Sequence, residues 1–282
     1  MTRVLLTGSN GALGRALRLR LESEGGFEIA SAGRQEADHS LELNDPSAFD
    51  KLLAQARPRW VFHLAATFSN DFEEALAINV EATRHLLEAV KRAGSPIRVV
   101  LVGSAAEYGA VRPDENPIRE DHALAPVSVY GLSKAWQSQL ASLYASSGVD
   151  VLVARLFNLH AANASERLFV GRVQKQIGEV RAGERTALEL GPLAATRDYV
   201  SAEQAAEQLH AIAAFGQAGE VYHVASGKPV TMRELLRSML ASSGLEDIPV
   251  HEAAALSNRP GVDVPVVYAD ITKTQRLLQR RN

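Results

Sequence analysis

Short apolar runs alternate with stretches in which apolar residues recur every third or fourth place. The runs are Arg3–Leu6, Phe27–Ala32, Trp60–Leu64, Arg98–Val102 and Val149–Phe157. Both alternating faces of these runs are apolar, which suits a strand covered on two sides rather than one half in water. The periodic stretches Gly11–Ser23, Pro46–Ala56, Asp71–Arg92 and Val129–Ser147 predict helices between those strands. Strand and helix in alternation predict an α/β fold, a doubly wound parallel sheet with helices on both faces. Past about residue 158 the rhythm breaks. Helices are predicted near Phe169–Ala182, Ala202–Ala214, Thr231–Ala241 and Asp270–Gln279, with short strands at Ala187–Leu190 and Val221–Val224. The expected division is a large domain over 1–158 and a smaller α/β lobe over 159–282. The lobe is expected over the carboxyl ends of the strands, where open sheets bind ligands, with Val221–Val224 among the pieces returning to the main sheet.

The first strand runs straight into Thr7-Gly8-Ser9-Asn10-Gly11-Ala12-Leu13-Gly14 and then a helix. A sharp strand-to-helix turn points bare N–H groups and the positive end of a helix dipole at one spot. Glycines there allow the turn and let a pyrophosphate approach the main chain. Gly8, Asn10, Gly11, Ala12, Leu13 and Gly14 are therefore assigned to a dinucleotide. The spacing is Gly-x-x-Gly-x-x-Gly rather than Gly-x-Gly-x-x-Gly, so context carries the assignment. At the end of the second strand, where an acid commonly holds the adenosine ribose, this chain has Gly33-Arg34. The planar fork of Arg34 suits a 2′-phosphate, which favours NADP(H) and leaves NAD(H) open.

Tyr130 and Lys134 stand at i, i+4 in a helical pattern, both heads on one face. A phenol titrates near ~10, and a neighbouring ammonium, together with the positive nicotinamide of an oxidised cofactor, is expected to lower that value toward proton exchange at neutral pH. Composition removes other chemistries. With no cysteine there is no disulfide, thiolate nucleophile or cysteine-held zinc, and the eight histidines lack a metal-binding spacing. A net charge of -3 gives no ground for a nucleic-acid or membrane partner, and no run is long enough to span a bilayer. A cytoplasmic enzyme without a metal is the expectation.

In this order the Thr7-headed glycine turn, His63-Leu64-Ala65-Ala66, the segment Gly103-Ser104-Ala105-Ala106-Glu107-Tyr108-Gly109 and Tyr130-x-x-x-Lys134 resemble the extended short-chain dehydrogenase/reductase superfamily. The resemblance covers essentially the whole chain and implies a Rossmann fold. It further implies Tyr130 as proton donor, Lys134 on the nicotinamide ribose and Ser104 on the substrate oxygen. Glu42 and Leu43 would lie at the adenine, and the main chain of Leu64, Ala65 and Ala66 beside the cofactor. Asn79 would pin the central helix to the sheet next to it. His63 reads equally as a packed strand-end histidine or a ligand contact.

Further segments are similar to the nucleotide-sugar reductases, nearest in pattern to the GDP-6-deoxy-D-mannose reductases. They are Arg155-Leu-Phe-Asn158, Phe169-Val170 with Gln176-Ile177, Leu190 to Tyr199, Glu220 to Gly227, and Arg259-Pro-Gly-Val-Asp263. This likeness implies a nucleotide-diphosphate sugar as substrate, met by Ser104, Ala105, Glu107 and Asn158, with Arg197 and Arg259 on its phosphates. Asp198 reads as a salt-bridge partner of Arg197 or a substrate contact. Leu159-His-Ala-Ala-Asn-Ala164 departs from the usual His-Thr-Gly-Pro-Gly-Gln, which leaves the sugar and base open. Dehydratases of this kind place a carboxylate two residues after the serine; here that place is Ala106, and Glu107 comes one residue late. Fucose-type epimerase-reductases use a cysteine, and this chain has none. Hydride transfer to a 4-keto-6-deoxy sugar remains, with 4-epimerisation on tightly held NAD, or dinucleotide sensing without catalysis, as alternatives. A homodimer through helices 71–92 and 129–147 is implied as well, with Trp136 as interface anchor or core.

Overall fold

The computed structural model describes residues 1–256 and 264–280. The first half runs β1 (Thr2–Thr7), α1 (Ala12–Glu24), β2 (Phe27–Gly33), β3 (His39–Ser40), α2 (Ala48–Ala56), β4 (Trp60–His63), α3 (Phe72–Ala75), α4 (Ala82–Arg92), β5 (Arg98–Ser104), α5 (Val129–Ser146) and β6 (Val151–Leu156). The second half runs β7 (Asn158–His160), α6 (Phe169–Arg181), β8 (Leu188–Leu190), β9 (Thr196–Ser201), α7 (Ala202–Phe215), β10 (Val221–Val224), β11 (Pro229–Thr231), α8 (Met232–Ala241), β12 (Val250–Glu252), β13 (Val266–Val267) and α9 (Thr272–Gln279).

Seven strands form one sheet in the order β10-β6-β5-β4-β1-β2-β3. Every pairing in it is parallel. The doubly wound architecture read from the sequence is the one observed. Successive residues of each strand face opposite layers, which is why the runs are apolar throughout. Val4, Leu6, Phe62, Val100 and Leu152 pack against Leu13, Leu17 and Leu21 of α1 and Leu209 and Ile212 of α7. Leu5, Val61, Val99, Leu101 and Val151 pack on the other face against Phe49 and Leu52 of α2, Leu86 and Leu87 of α4 and Tyr144 of α5. Strand order reverses between β1 and β4, so the loops leaving these strands part and open a crevice at their carboxyl ends.

The helix expected over Asp71–Arg92 is present, but its winding changes partway along. α3 gives way to a π-helical turn, Leu76–Glu81, before α4 begins. Such turns commonly mark functional sites, and this one carries the buried Asn79. Around the crevice β9 pairs antiparallel with β11 and parallel with β13 and β7, while β8 pairs with β12. Of the six strands in these four pairings only β8 was expected from the sequence. α6 and α8 cover this region through Val173, Ile177, Leu236 and Met239. β10 lies parallel to β6 at the edge of the main sheet. No described helix is long and apolar enough to cross a membrane.

Candidate active site

The turn after β1 is fixed by contact with the end of β4. Gly8 has φ of +68°, and a Cβ there would lie 2.8 Å from the Ala65 nitrogen. Only glycine allows both that backbone angle and that approach. Thr7 Oγ1 accepts the Ala65 N–H at 3.2 Å and is 2.9 Å from His63 Nδ1. His63 is thus a packed strand-end histidine. Burial drives its pKa down to about 3, with the Lys134 charge adding to the fall.

α1 has Gly11 as its N-cap, with no side-chain cap and no acid in its first turn. Its free N–H groups, over Ala12, Leu13 and Gly14, therefore face outward with a positive dipole end, which fits a pyrophosphate. The Leu13 side chain belongs to the core, so its main chain is what a ligand would meet. Asn10 Nδ2 donates to the carbonyls of Gln35 (3.2 Å) and Glu36 (3.4 Å), holding the loop after β2 beside the glycine turn. Arg34 is exposed in that loop. Glu42, exposed, and Leu43, half-buried, follow β3, while Leu64, Ala65 and the exposed Ala66 follow β4.

Two strands from β1, α5 presses on the end of β5. A Cβ at Gly131 would lie 2.5 Å from the Ala106 carbonyl oxygen. This close approach sets Tyr130 against Ser104. Burial pushes the Tyr130 phenol up to about 12; a hydrogen bond with the Ser104 side chain opposes the rise and the Glu107 charge adds to it. Lys134 is buried, its ammonium donating to the Val102 carbonyl at 2.6 Å and to Gln137 Oε1. Burial lowers its pKa to about 8, against the pull of Glu107. A buried ammonium settles on the nearest acceptors, and those are Val102 and Gln137 rather than Tyr130. Gln137 in turn donates to Thr83 Oγ1 at 2.8 Å.

Glu107 was expected at the substrate, and the structure turns it inward. With Ser104 it closes a capping box around the turn Ala105–Glu107: Ser104 N–H donates to Glu107 Oε1 at 2.7 Å, and Ala106 N–H to Ser104 Oγ at 3.2 Å. Its second oxygen accepts from Ser138 Oγ (2.7 Å) and from Arg155 Nε (2.9 Å) and Nη2 (2.8 Å). The pair is buried, with side-chain exposures of 0% and 3%. Arg155 continues to Tyr108 Oη at 2.7 Å, Tyr108 to His223, and His223 Nδ1 to the Asp270 carbonyl at 2.8 Å. Glu107 thus braces the Ser104 turn from within the core.

Asn79 is likewise bonded within the protein. Its amide exchanges hydrogen bonds with the Thr67 main chain (3.0 Å each way) and donates to Ser133 Oγ at 2.9 Å, tying the π-helical turn to α5. Asn158 donates to the Asp198 carbonyl at 3.0 Å. Asp198 is no salt-bridge partner of Arg197: its carboxylate takes the N–H groups of Ser226, Gly227 and Ala269 and the Ser226 hydroxyl. Arg197 is buried, with Nη1 on the Thr196 carbonyl at 2.9 Å. Ala105 sits half-buried next to Ser104. Arg259 lies outside the described residues. Sequence reading missed Gln137, Ser138 and Phe68 as neighbours of the centre. Gln137 and Ser138 had a signal: at i+3 and i+4 from Lys134 they share its helix face.

A glycine turn at a topological switch point, with serine, tyrosine and lysine gathered two strands away, defines a Rossmann-type dinucleotide-binding protein with a polar cluster beside the crevice. Residues 4–225 match the NAD dependent epimerase/dehydratase family, and the chain belongs to it. Among its relatives, dTDP-6-deoxy-L-talose 4-dehydrogenase (NAD(P)(+)) of Kitasatospora kifunensis is 30% identical, covering 86% of this chain and 80% of that protein. GDP-6-deoxy-D-mannose reductase of Pseudomonas aeruginosa is 27% identical, covering 83% and 78%. The solved structure of RMD from Pseudomonas aeruginosa complexed with NADPH superposes with a TM-score of 0.87 at 23% identity, over 99% of this chain and 91% of that one.

Proposed function

We propose that this protein is an NADPH-dependent reductase of a nucleotide-linked 4-keto-6-deoxy hexose. The observation that carries the reading is the convergence of Ser104, Tyr130 and Lys134 at the carboxyl end of β5, on the same edge of the sheet as the uncapped first turn of α1 two strands away. The reduced nicotinamide supplies a hydride when bound. Tyr130, protonated at neutral pH as a phenol is, gives its proton to the carbonyl oxygen. The Ser104 hydroxyl hydrogen-bonds that oxygen and steadies the negative charge growing on it. Lys134 leaves Val102 and Gln137 to meet the nicotinamide ribose, and its charge then lies beside the phenolate that the transfer creates.

Gly8, Asn10, Gly11 and the first turn of α1 hold the pyrophosphate, Arg34 the 2′-phosphate, and Glu42 and Leu43 the adenine. Ala105, Asn158, Arg197 and Arg259 stay assigned to the substrate side. The relatives named for dTDP- and GDP-linked 6-deoxy sugars support that substrate class. Two copies associate through the helical segment 71–92 and α5, where Leu143 is 64% exposed and Phe72 of α3 stacks edge to face on Trp136 of α5 at 6.1 Å.

The test is a panel of 4-keto-6-deoxy sugars on GDP, dTDP, CDP and UDP, following loss of NADPH and NADH absorbance. Tyr130→Phe should lower turnover by about 10²–10⁴-fold while NADPH still binds. Conversion of a nucleotide sugar with no net absorbance change would instead identify a 4-epimerase. Binding of coenzyme with no turnover of any sugar would identify a sensor.

A further inference from the structure

Phe68 is 41% exposed, yet its ring centroid lies 5.2 Å from that of Tyr130, with the planes at 46°. The loop around it is held on both sides. The Thr67 main chain is locked to Asn79, and Thr67 Oγ1 donates to Glu74 at 2.8 Å and accepts the Ser69 N–H at 3.2 Å. On the far side Asn70 Oδ1 accepts the Tyr130 N–H at 3.4 Å, joining the loop to the helix that carries the phenol. An exposed phenylalanine on a pinned loop cannot fold away into the core. It stands as a fixed apolar wall beside the proposed proton donor.

We propose that Phe68 is a specificity-determining residue, whose ring receives the C6 methyl of the sugar and disfavours a sugar with a C6 hydroxyl. The inference rests on the reductase reading above and deepens it. With the 4-keto oxygen at the Tyr130 hydroxyl, C5 is bonded to the reacting carbon and carries C6. In the proposed orientation the C5 side of the ring faces Phe68, which puts the C6 substituent against its face. A methyl group gives up nothing by leaving water for an aromatic face. A hydroxymethyl group in the same place would lose its hydrogen bonds to water against a ring that returns none. The flanking polar groups of Thr67 and Asn79 are occupied within the protein, so they do not make up that loss.

The experiment measures kcat/KM in the oxidative direction with NADP⁺, for a nucleotide-linked 6-deoxyhexose and the matching hexose that keeps its 6-hydroxyl. Wild type, Phe68→Leu and Phe68→Ala are compared, with NADPH affinity read by fluorescence as a check on the fold. Wild type should prefer the 6-deoxy sugar by roughly 10–100-fold, the range for a change of one small group in an apolar pocket. Phe68→Leu should keep most of that preference. Phe68→Ala should reduce it to about threefold or less, with unchanged NADPH affinity. An unchanged preference in a Phe68→Ala enzyme that turns over and binds NADPH normally would overturn the inference alone. Failure of the wild type to oxidise either sugar, despite binding coenzyme, would overturn the reductase reading and this inference with it.

Discussion

Glu107→Gln tests whether the catalytic turn is held by a buried charge pair. The change replaces one carboxylate oxygen with an NH₂ group and leaves the shape intact. Both oxygens now accept: Oε1 from the Ser104 N–H, Oε2 from Ser138 and twice from Arg155. Whichever way the amide sits, its NH₂ faces a donor. If it faces Ser104 the capping box opens; if it faces Arg155 the guanidinium is left charged and unpaired at 3% exposure. Removing one partner of a buried pair costs about 3–5 kcal/mol. Unfolding entropy for a chain of 282 residues is about 0.6 kcal/mol/K, so the melting point should fall by about 5–8 °C. Turnover should fall by roughly 10²-fold as Ser104 shifts, while NADPH affinity changes little. The assay is thermal unfolding of wild type, Glu107→Gln, Arg155→Met and the double variant. The two single effects should be far from additive, because the second substitution removes a charge that the first has already orphaned. A single variant melting within about 1 °C of wild type, or a double variant showing the simple sum, would refute the reasoning.

Stability should fall in acid through two buried imidazoles. His63, near 3, and His223, near 4, are both held down chiefly by burial and stay neutral while folded. The unfolded chain takes up their protons below about 6.5, so stability is complete above that pH and declines by up to about 2.7 kcal/mol per pH unit as pH falls toward 4. Urea midpoints at pH 7, 6 and 5 that do not move would contradict this. Lys134, lowered to about 8 by burial, works at the other end: the unfolded chain binds the extra proton between about 8 and 10, so stability rises with pH there. Lys134→Met should lose that rise, measured by the same midpoints. Arg34→Asp should raise the KM for NADPH at least about tenfold and lower that for NADH, since a charge-assisted contact to a phosphate contributes about 1.5–3 kcal/mol. Equal KM shifts for both coenzymes would remove Arg34 from the 2′-phosphate. Leu143→Asp should convert a dimer to a monomer in sedimentation velocity, and a wild type that already sediments as a monomer at micromolar concentration would remove the association surface.

What could be read in advance follows from where each signal resides. β1, β2, β4, β5 and β6 are covered on both faces, so their apolar character is continuous and shows in one dimension. β9 is the opposite case. Its sequence Thr-Arg-Asp-Tyr-Val-Ser buries Arg197 and Asp198, and no periodicity marks it as a strand. Asp198 is tolerated inside because N–H groups of Ser226, Gly227 and Ala269, distant in sequence, converge on it. Such satisfaction is a property of the closed fold, invisible until partners far along the chain are placed. The π-helical turn at Leu76–Glu81 escaped for a related reason, since Asn79 enters the core only because Thr67 and Ser133 meet its amide.

Glu107 shows a signal that was present and outweighed. Ser104-x-x-Glu107 is a capping-box pattern, and it predicts a carboxylate folded back onto its own turn. The likeness to nucleotide-sugar reductases drew the residue toward the substrate instead. Local geometry decides between the two: a side chain whose oxygen already accepts the Ser104 N–H has spent its reach within the turn. The same logic separates Tyr130 from Lys134. Their i, i+4 spacing put both on one helix face, but not at one another, because the Val102 carbonyl and Gln137 compete for the ammonium. Spacing therefore names the participants in a reaction centre, whereas the state each occupies depends on the acceptors that the rest of the chain brings within reach.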